Sequence, residues 1–260
     1  PRLASVIPFS RGKEPNVLTD LASQKWDLVI DLQHNRSSNR IRKKYFPNVK
    51  VGVFDKLHLK RFILLYLRLN FYGAHSSVAE RYIQASGFTS DQKIDIPPAK
   101  LFFNNKEVVR KLLFSESGNK AEPVIALMPF SAWKNKQWPM SSYAAIGKHF
   151  TQKKWRVAIF GGTEDIINTE LLKNDIGGNC YSFAGSLNLY EIGCLLTQCT
   201  LALGNDTGLS HLARACGVKT GVIYGATSYH FGFFPYGDPP YKIFESKQFC
   251  RPCHPHGGNL

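Results

Sequence analysis

From Val124 to Tyr224 the chain repeats one pattern, and that pattern leaves it few folds to adopt. Short apolar runs at 124–128, 155–160, 180–183, 200–203 and 219–224 alternate with stretches of helical character at 141–150, 164–173, 188–197 and 207–216. Runs such as Val124-Ile125-Ala126-Leu127-Met128 are apolar throughout, as befits strands buried on both faces. Strands alternating with helices at this spacing predict an α/β fold, a parallel sheet covered on both sides. The first half reads the same way more sparsely. A strand is expected at 26–32, a basic helix at 37–45, a short strand at 49–54 and a helix at 76–86. Extended, proline-containing chain follows at 93–101, then a helix at 106–114. The polar stretch Ser115-Glu116-Ser117-Gly118-Asn119-Lys120 reads as a linker, which predicts two domains, 1–118 and 119–260. A chain of 260 residues suffices for two modest cores. No repeat or low-complexity tract interrupts it.

Two strand-to-helix joints carry groups suited to phosphate. In the first, the strand ending at Leu203 runs into Gly204-Asn205-Asp206-Thr207-Gly208-Leu209-Ser210-His211. Asp206 or Thr207 is placed to cap the helix, whose first N–H groups and dipole favour an anion. Gly208 lets a ligand approach the backbone, and His211, about one turn on, reaches the same ligand. In the second, the strand ending at Met128 opens into Pro129–Pro139, with Ser131, Lys134 and Lys136 between aromatic residues. If both strands lie in one parallel sheet, both loops leave its carboxyl edge, where open α/β sheets bind ligands, and Lys136 faces the 204–211 turn.

Charge is unevenly placed. The net charge is +14, and residues 1–120 hold 21 Lys and Arg against 10 Asp and Glu. Between Arg36 and Arg68 ten basic residues meet one acid, Asp55, and the stretch ends in the apolar run Phe62–Leu67. Basic residues beside apolar ones suit an anionic membrane surface or a phosphorylated glycolipid. The segment carries no zinc-finger or RNA-binding signature, so nucleic acid is not the expected partner. That apolar run of six residues is far below the roughly 20 needed to cross a bilayer. Six scattered cysteines lack the density of a disulfide scaffold, which points to a reducing, cytoplasmic setting.

The chain resembles the lipopolysaccharide heptosyltransferases of glycosyltransferase family 9. The resemblance rests on Lys136-Gln137-Trp138-Pro139, Phe160-Gly161-Gly162-Thr163-Glu164-Asp165, the Gly204–Ala213 turn, and Trp26–Ser37 with its Asp31-Leu32-Gln33-His34-Asn35-Arg36. It implies the GT-B architecture, in which two Rossmann-like domains with parallel sheets flank a cleft. It further implies inverting transfer of a heptose from ADP-heptose, without a metal or other cofactor, to a lipopolysaccharide inner-core acceptor at the inner face of the cytoplasmic membrane. On this resemblance Ser131, Lys136, Thr207, Gly208 and His211 hold the donor phosphates. Asp206 engages the sugar or orders its turn, Glu164 binds ribose, and Leu187 packs beside the base. Each of the last three also has a plain structural reading: helix cap, first-turn acid and core residue. Gln33, His34, Asn35 and Arg36 are the expected acceptor contacts. Asp31 is read either as an acid or base or as a cap of the next helix.

The sequence departs from the family at both ends. The usual opening strand and its glycine-aspartate loop, which carries the expected base, are absent, so the chain is expected to begin inside its first domain. Cys250-Arg251-Pro252-Cys253 resembles a family cysteine pair without its downstream companions, and two cysteines alone are not read as a metal site. Two other readings stay open: another GT-B enzyme, such as a UDP-sugar transferase or epimerase, and a nucleotide-sugar binding module without turnover.

Overall fold

The computed structural model describes residues 5–8, 15–72, 77–87, 99–103, 122–234 and 240–258. The expected helix 106–114 and linker 115–120 lie outside them. Contacts divide the chain into one unit of Pro1–Leu57 with Val78–Asp95 and a second of His58–Ser77 with Ile96–Leu260. The expected break at 118/119 lies outside the described residues, but the division by contacts differs from it in giving 58–77 to the second unit.

In the first unit, after helix α1 (Pro15–Ala22), strand β1 (Val29–Asp31) pairs in parallel with β2 (Val51–Val53). Helix α2 (Arg36–Tyr45) connects them. Asn35 begins α2 with a capping box: its side chain accepts from Ser38 N, and Ser38 Oγ accepts from Asn35 N. Gly52 lies against the helix Val78–Ala85, where a Cβ would fall 1.7 Å from the Ala85 carbonyl oxygen. Phe54, Val78 and Ala85 form a small core beside it.

The second unit opens with helix α3 (His58–Phe62), which passes into a π-helical turn (Ile63–Leu67) that buries Leu64. The helix in the first unit is α4 (Val78–Ala85). Beyond it the second unit is built on six parallel strands: β3 (Val124–Met128), β4 (Arg156–Ile159), β5 (Cys180–Ser182), β6 (Leu201–Asn205), β7 (Lys219–Tyr224) and β8 (Tyr241–Glu245), in the order β5-β4-β3-β6-β7-β8. β3 is buried along its whole length, which is why every residue of it is apolar. One face carries α5 (Met140–Gln152) and α6 (Ile166–Ile176), over a core that includes Leu127, Tyr143, Ile159 and Leu172. The other carries α7 (Leu189–Leu196) and α8 (Gly208–Ala215), over Met128, Phe160, Leu195 and Ala213.

The alternation expected from 124 to 224 is therefore present. The strand expected at 26–32 is confined to three residues, and α1, α3 and β8 were not anticipated. β8 is an edge strand with four of its five residues exposed, two of them charged, so it lacks the apolar run that marks β3. No described helix is long and apolar enough to cross a membrane.

Candidate functional site

The strand order fixes where a ligand can sit. β3 runs on to β4 and β5 on one side, β6 to β7 and β8 on the other, so the topology reverses between β3 and β6. Met128 pairs with Gly204 there, which sets the two loops singled out in the sequence side by side at the carboxyl edge.

Asn205, at the end of β6, joins the loops. Its side chain is fully buried. Its Oδ1 accepts from Trp138 N at 3.0 Å and Tyr143 Oη at 3.1 Å, and its Nδ2 donates to the Pro129 carbonyl at 2.6 Å. Two of these partners, Pro129 and Trp138, belong to the 129–139 loop and hold it against the sheet end. A short 3-10 turn, Lys134–Lys136, then delivers Lys136. Its Nζ lies 2.7 Å from Asp206 Oδ2 and donates to the Asp206 carbonyl at 3.2 Å, while Thr227 Oγ1 donates to the same carboxylate at 2.9 Å. The pair is largely enclosed, 15% exposed for Lys136 and 8% for Asp206.

Asp206 is therefore not the helix cap. Its carboxylate is turned toward Lys136 and Thr227, and Thr207 holds the N-cap position of α8 with extended backbone. The Thr207 hydroxyl makes no capping bond, is buried, and has no hydrogen-bond partner. A buried hydroxyl without a partner is costly, and a ligand oxygen would satisfy it. In front of Gly208 there is open space, since an added Cβ would meet nothing within 4 Å.

These groups line a cavity of about 220 Å³ together with His211. The His211 ring opens onto the cavity. Protein around it holds its pKa below the usual histidine value, because burial outweighs the pull of the Asp206 carboxylate and Lys136 adds to the lowering. The opposite wall comprises Thr227, Ser228, Phe231, Phe233, Pro255 and His256, none of them anticipated. The signal for the last two was present in Cys253-His254-Pro255-His256-Gly257-Gly258, but it was read only as part of a cysteine pair. A larger groove of about 550 Å³ shares Lys136 but is lined by Trp138, Ile146, Leu203, Ile223 and Phe244. The smaller cavity is the one equipped for an anion.

The other expected donor residues lie off this wall. Ser131 Oγ accepts from Trp133 N at 3.3 Å. Glu164 is exposed on the turn after β4, where the capping role falls to Asp165, whose carboxylate accepts from Gly162 N at 2.9 Å. Leu187 packs half-buried against the α7/α8 core.

In the first unit, Asp31 is 6% exposed at the end of β1. Its Oδ1 accepts from Gln33 N (3.0 Å) and His34 N (2.8 Å), its Oδ2 from Ser38 Oγ (2.8 Å), and Arg42 Nε stands 3.1 Å away. Burial pushes its pKa up, but the bonds from His34, Ser38 and Gln33 and the Arg42 charge outweigh it and hold the carboxyl below its ordinary value. This is the geometry of a loop organiser. Gln33 accepts from Asn35 Nδ2 at 3.0 Å, and His34 Nδ1 bonds the Phe54 carbonyl at 2.8 Å. Arg36 is exposed. Arg81 and Tyr82 pack on Phe54.

The family model for glycosyltransferase family 9 (heptosyltransferase) matches residues 16–256. Lipooligosaccharide heptosyltransferase 2 of Haemophilus influenzae is 29% identical over 164 residues, covering 58% of this chain and 47% of that protein. Lipopolysaccharide heptosyltransferase 2 of Escherichia coli is 28% identical over 114 residues, 42% of this chain and 33% of that one. The chain thus spans about half or less of the length of these curated relatives. Among solved structures, E. coli ADP-heptose LPS heptosyltransferase II matches with a TM-score of 0.66 at 19% identity, covering 92% of this chain and 74% of that one. A family 9 glycosyl transferase from Veillonella parvula gives 0.67 at 18%, covering 89% and 68%. At such identities the likeness concerns the fold, which is α/β of the GT-B kind. With a family match running over nearly its whole length, the chain belongs to glycosyltransferase family 9, the heptosyltransferases.

Proposed function

We propose that this chain transfers a heptose from ADP-heptose to a lipopolysaccharide inner-core acceptor, with inversion. The observation that carries the reading is the cavity at the carboxyl edge of the second sheet, where Lys136, the partnerless Thr207 hydroxyl, the open backbone at Gly208 and His211 converge. A diphosphate leaving group needs these: a cation, hydrogen-bond donors and a helix start directed at charge that grows as the bond to the sugar breaks. In the proposed step the acceptor oxygen attacks the anomeric carbon, the carbon–oxygen bond to the diphosphate breaks, and ADP departs with the electron pair. The acceptor proton passes to a general base, a role assigned to no residue of this chain. Lys136 and the helix start neutralise the departing charge without a metal. Asp206 orients Lys136, and Ser131, Glu164 and Leu187 contact phosphate, ribose and base.

The acceptor reading is supported in the first unit by Arg36, Arg40, Lys43 and Lys44 on a helix with no buried residue. In the second, Phe62, Tyr66 and Leu67 are 54%, 71% and 59% exposed among basic residues, which suits peripheral contact with an anionic membrane at its cytoplasmic face. Calorimetric titration with ADP, GDP and UDP tests the donor. Selective ADP binding that Lys136→Ala abolishes is expected. A preference for UDP would move the reading to another nucleotide sugar, and ADP binding without transfer from ADP-heptose would leave a binding module.

A further inference from the structure

The far wall of the cavity is built by a segment that returns from β8, and its construction is directed at one side chain. Arg251 anchors it, donating from Nε to the Gly225 carbonyl (2.6 Å), from Nη2 to Thr227 O (2.8 Å) and from Nη1 to Ser246 O (2.7 Å). Cys253 N adds a bond to Ala226 O at 2.9 Å. Next, His254 Nδ1 accepts two backbone N–H groups, from His256 at 3.0 Å and Gly258 at 2.9 Å. Two N–H groups converging on Nδ1 fix the orientation of this ring. The two glycines are required by close approach. Gly257 has φ +85°, and a Cβ there would lie 2.7 Å from Lys136 Cγ; one at Gly258 would lie 2.9 Å from His254 Cε1. Asn135 Nδ2 donates to Gly258 O at 3.2 Å. The segment is thus folded over the stem of Lys136, and His256 opens onto the cavity that His211 also lines.

The charges around His256 are unbalanced. His256 faces Arg61, His254 and Lys136 against the single carboxylate of Asp206. His211 faces Lys136 and the same Asp206. Burial keeps both rings below the usual histidine pKa, with Lys136 adding to the lowering at both and Arg61 at His256, against the pull of Asp206, which favours the neutral form of each in the empty cavity. A multiply charged anion entering between them reverses that balance.

We infer that His256, positioned by the His254 clasp, is a second histidine donor to the anion in this cavity, and that a diphosphate takes up protons as it binds. The inference rests on the phosphate reading of the cavity given above and deepens it. Each proton taken up steepens the pH dependence of affinity by a factor of up to about ten per pH unit, toward tighter binding at lower pH.

The test is calorimetry of the 260-residue chain with inorganic pyrophosphate and with ADP, between pH 6.5 and 8, in buffers of different ionisation enthalpy. The wild-type protein is expected to take up protons with either probe. His256→Gln is expected to lose about tenfold in affinity, with a smaller proton uptake. His254→Asn, whose Oδ1 replaces the accepting Nδ1, should retain wild-type binding, while His254→Leu should bind and take up protons like His256→Gln. Unchanged affinity and proton uptake in His256→Gln would overturn the inference, even if His254→Leu failed to fold. If pyrophosphate bound with His256-dependent proton uptake and ADP did not bind, the nucleotide reading would fall and this one would stand. Binding of neither probe would remove both.

Discussion

Lys136 and Asp206 form an ion pair at the centre of the cavity, and its worth can be measured by a double-mutant cycle. Lys136→Met keeps most of the stem that Gly257 packs on but leaves the Asp206 carboxylate, 8% exposed, with Thr227 Oγ1 as its remaining side-chain donor. Breaking one side of a fully buried pair costs about 3–5 kcal/mol. Here Lys136 is 15% exposed and opens on a cavity that water can enter, so about 2–3 kcal/mol is expected. Asp206→Asn preserves the shape and can still accept from Lys136, which puts its cost at about 1–2 kcal/mol. The double variant has no unpaired charge and should cost about as much as Lys136→Met alone, giving a coupling of about 1–2 kcal/mol. Urea unfolding followed by circular dichroism and tryptophan fluorescence reads all four corners, provided m is unchanged. Single costs that simply add, with coupling below about 0.5 kcal/mol, would refute the pair in solution and leave the cavity's electrostatics without their stated basis.

Gly257→Ala forces a positive-φ backbone and a 2.7 Å contact on the Lys136 stem; it should cost about 1–2 kcal/mol in thermal unfolding and weaken pyrophosphate binding, and a neutral effect on both would contradict the close approach. Unfolded histidines take their proton near pH 6.5, whereas His211 and His256 take theirs lower in the fold, so the unfolded chain binds more protons below that value. The empty protein should therefore lose stability as pH falls from about 6.5, and His211→Gln with His256→Gln should flatten that slope in denaturant titrations. Burial pushes the thiols of Cys180, Cys199 and Cys216 up to about 12, so all three should resist iodoacetamide at pH 8 in the native protein, as mass spectrometry would show. Vesicles containing anionic lipid should bind the chain at low salt and release it as salt rises; no binding at low salt would leave the basic segment a solvated face.

The sheet of the second unit was legible because its central strands are largely buried, β3 along its whole length, and so carry apolar runs. β8 was not, because an edge strand such as Tyr241–Glu245 has no such requirement. The near wall of the cavity was legible for a related reason: glycine, aspartate and threonine at a strand-to-helix joint have few other uses. Even there, the division of labour between Asp206 and Thr207 depended on Lys136 and Thr227, which are distant in sequence. The far wall was hidden because His254 and His256 acquire meaning only through bonds to the backbone and to the 225–227 loop. Asp31 shows the reverse case, in which a strand-end acid reads alike as a base or an organiser until its partners are known.

Folding of the second unit has to wait until residue 252 has been made. The segment 58–72 packs on elements made much later: Arg68 donates to the Pro252 carbonyl across 184 residues of sequence, Asn70 meets His230 at 3.2 Å, and Tyr72 lies edge-on to Phe231. At ribosomal speeds of about 5–20 residues per second, that interval lasts roughly 10 to 40 s. During it Tyr72, 6% exposed in the fold, lacks its cover from Phe231, and an apolar ring left open in this way is what a chaperone would hold. Any fragment that starts at residue 119 to isolate the donor half would omit this segment and leave Phe231, 2% exposed in the whole chain, without its cover.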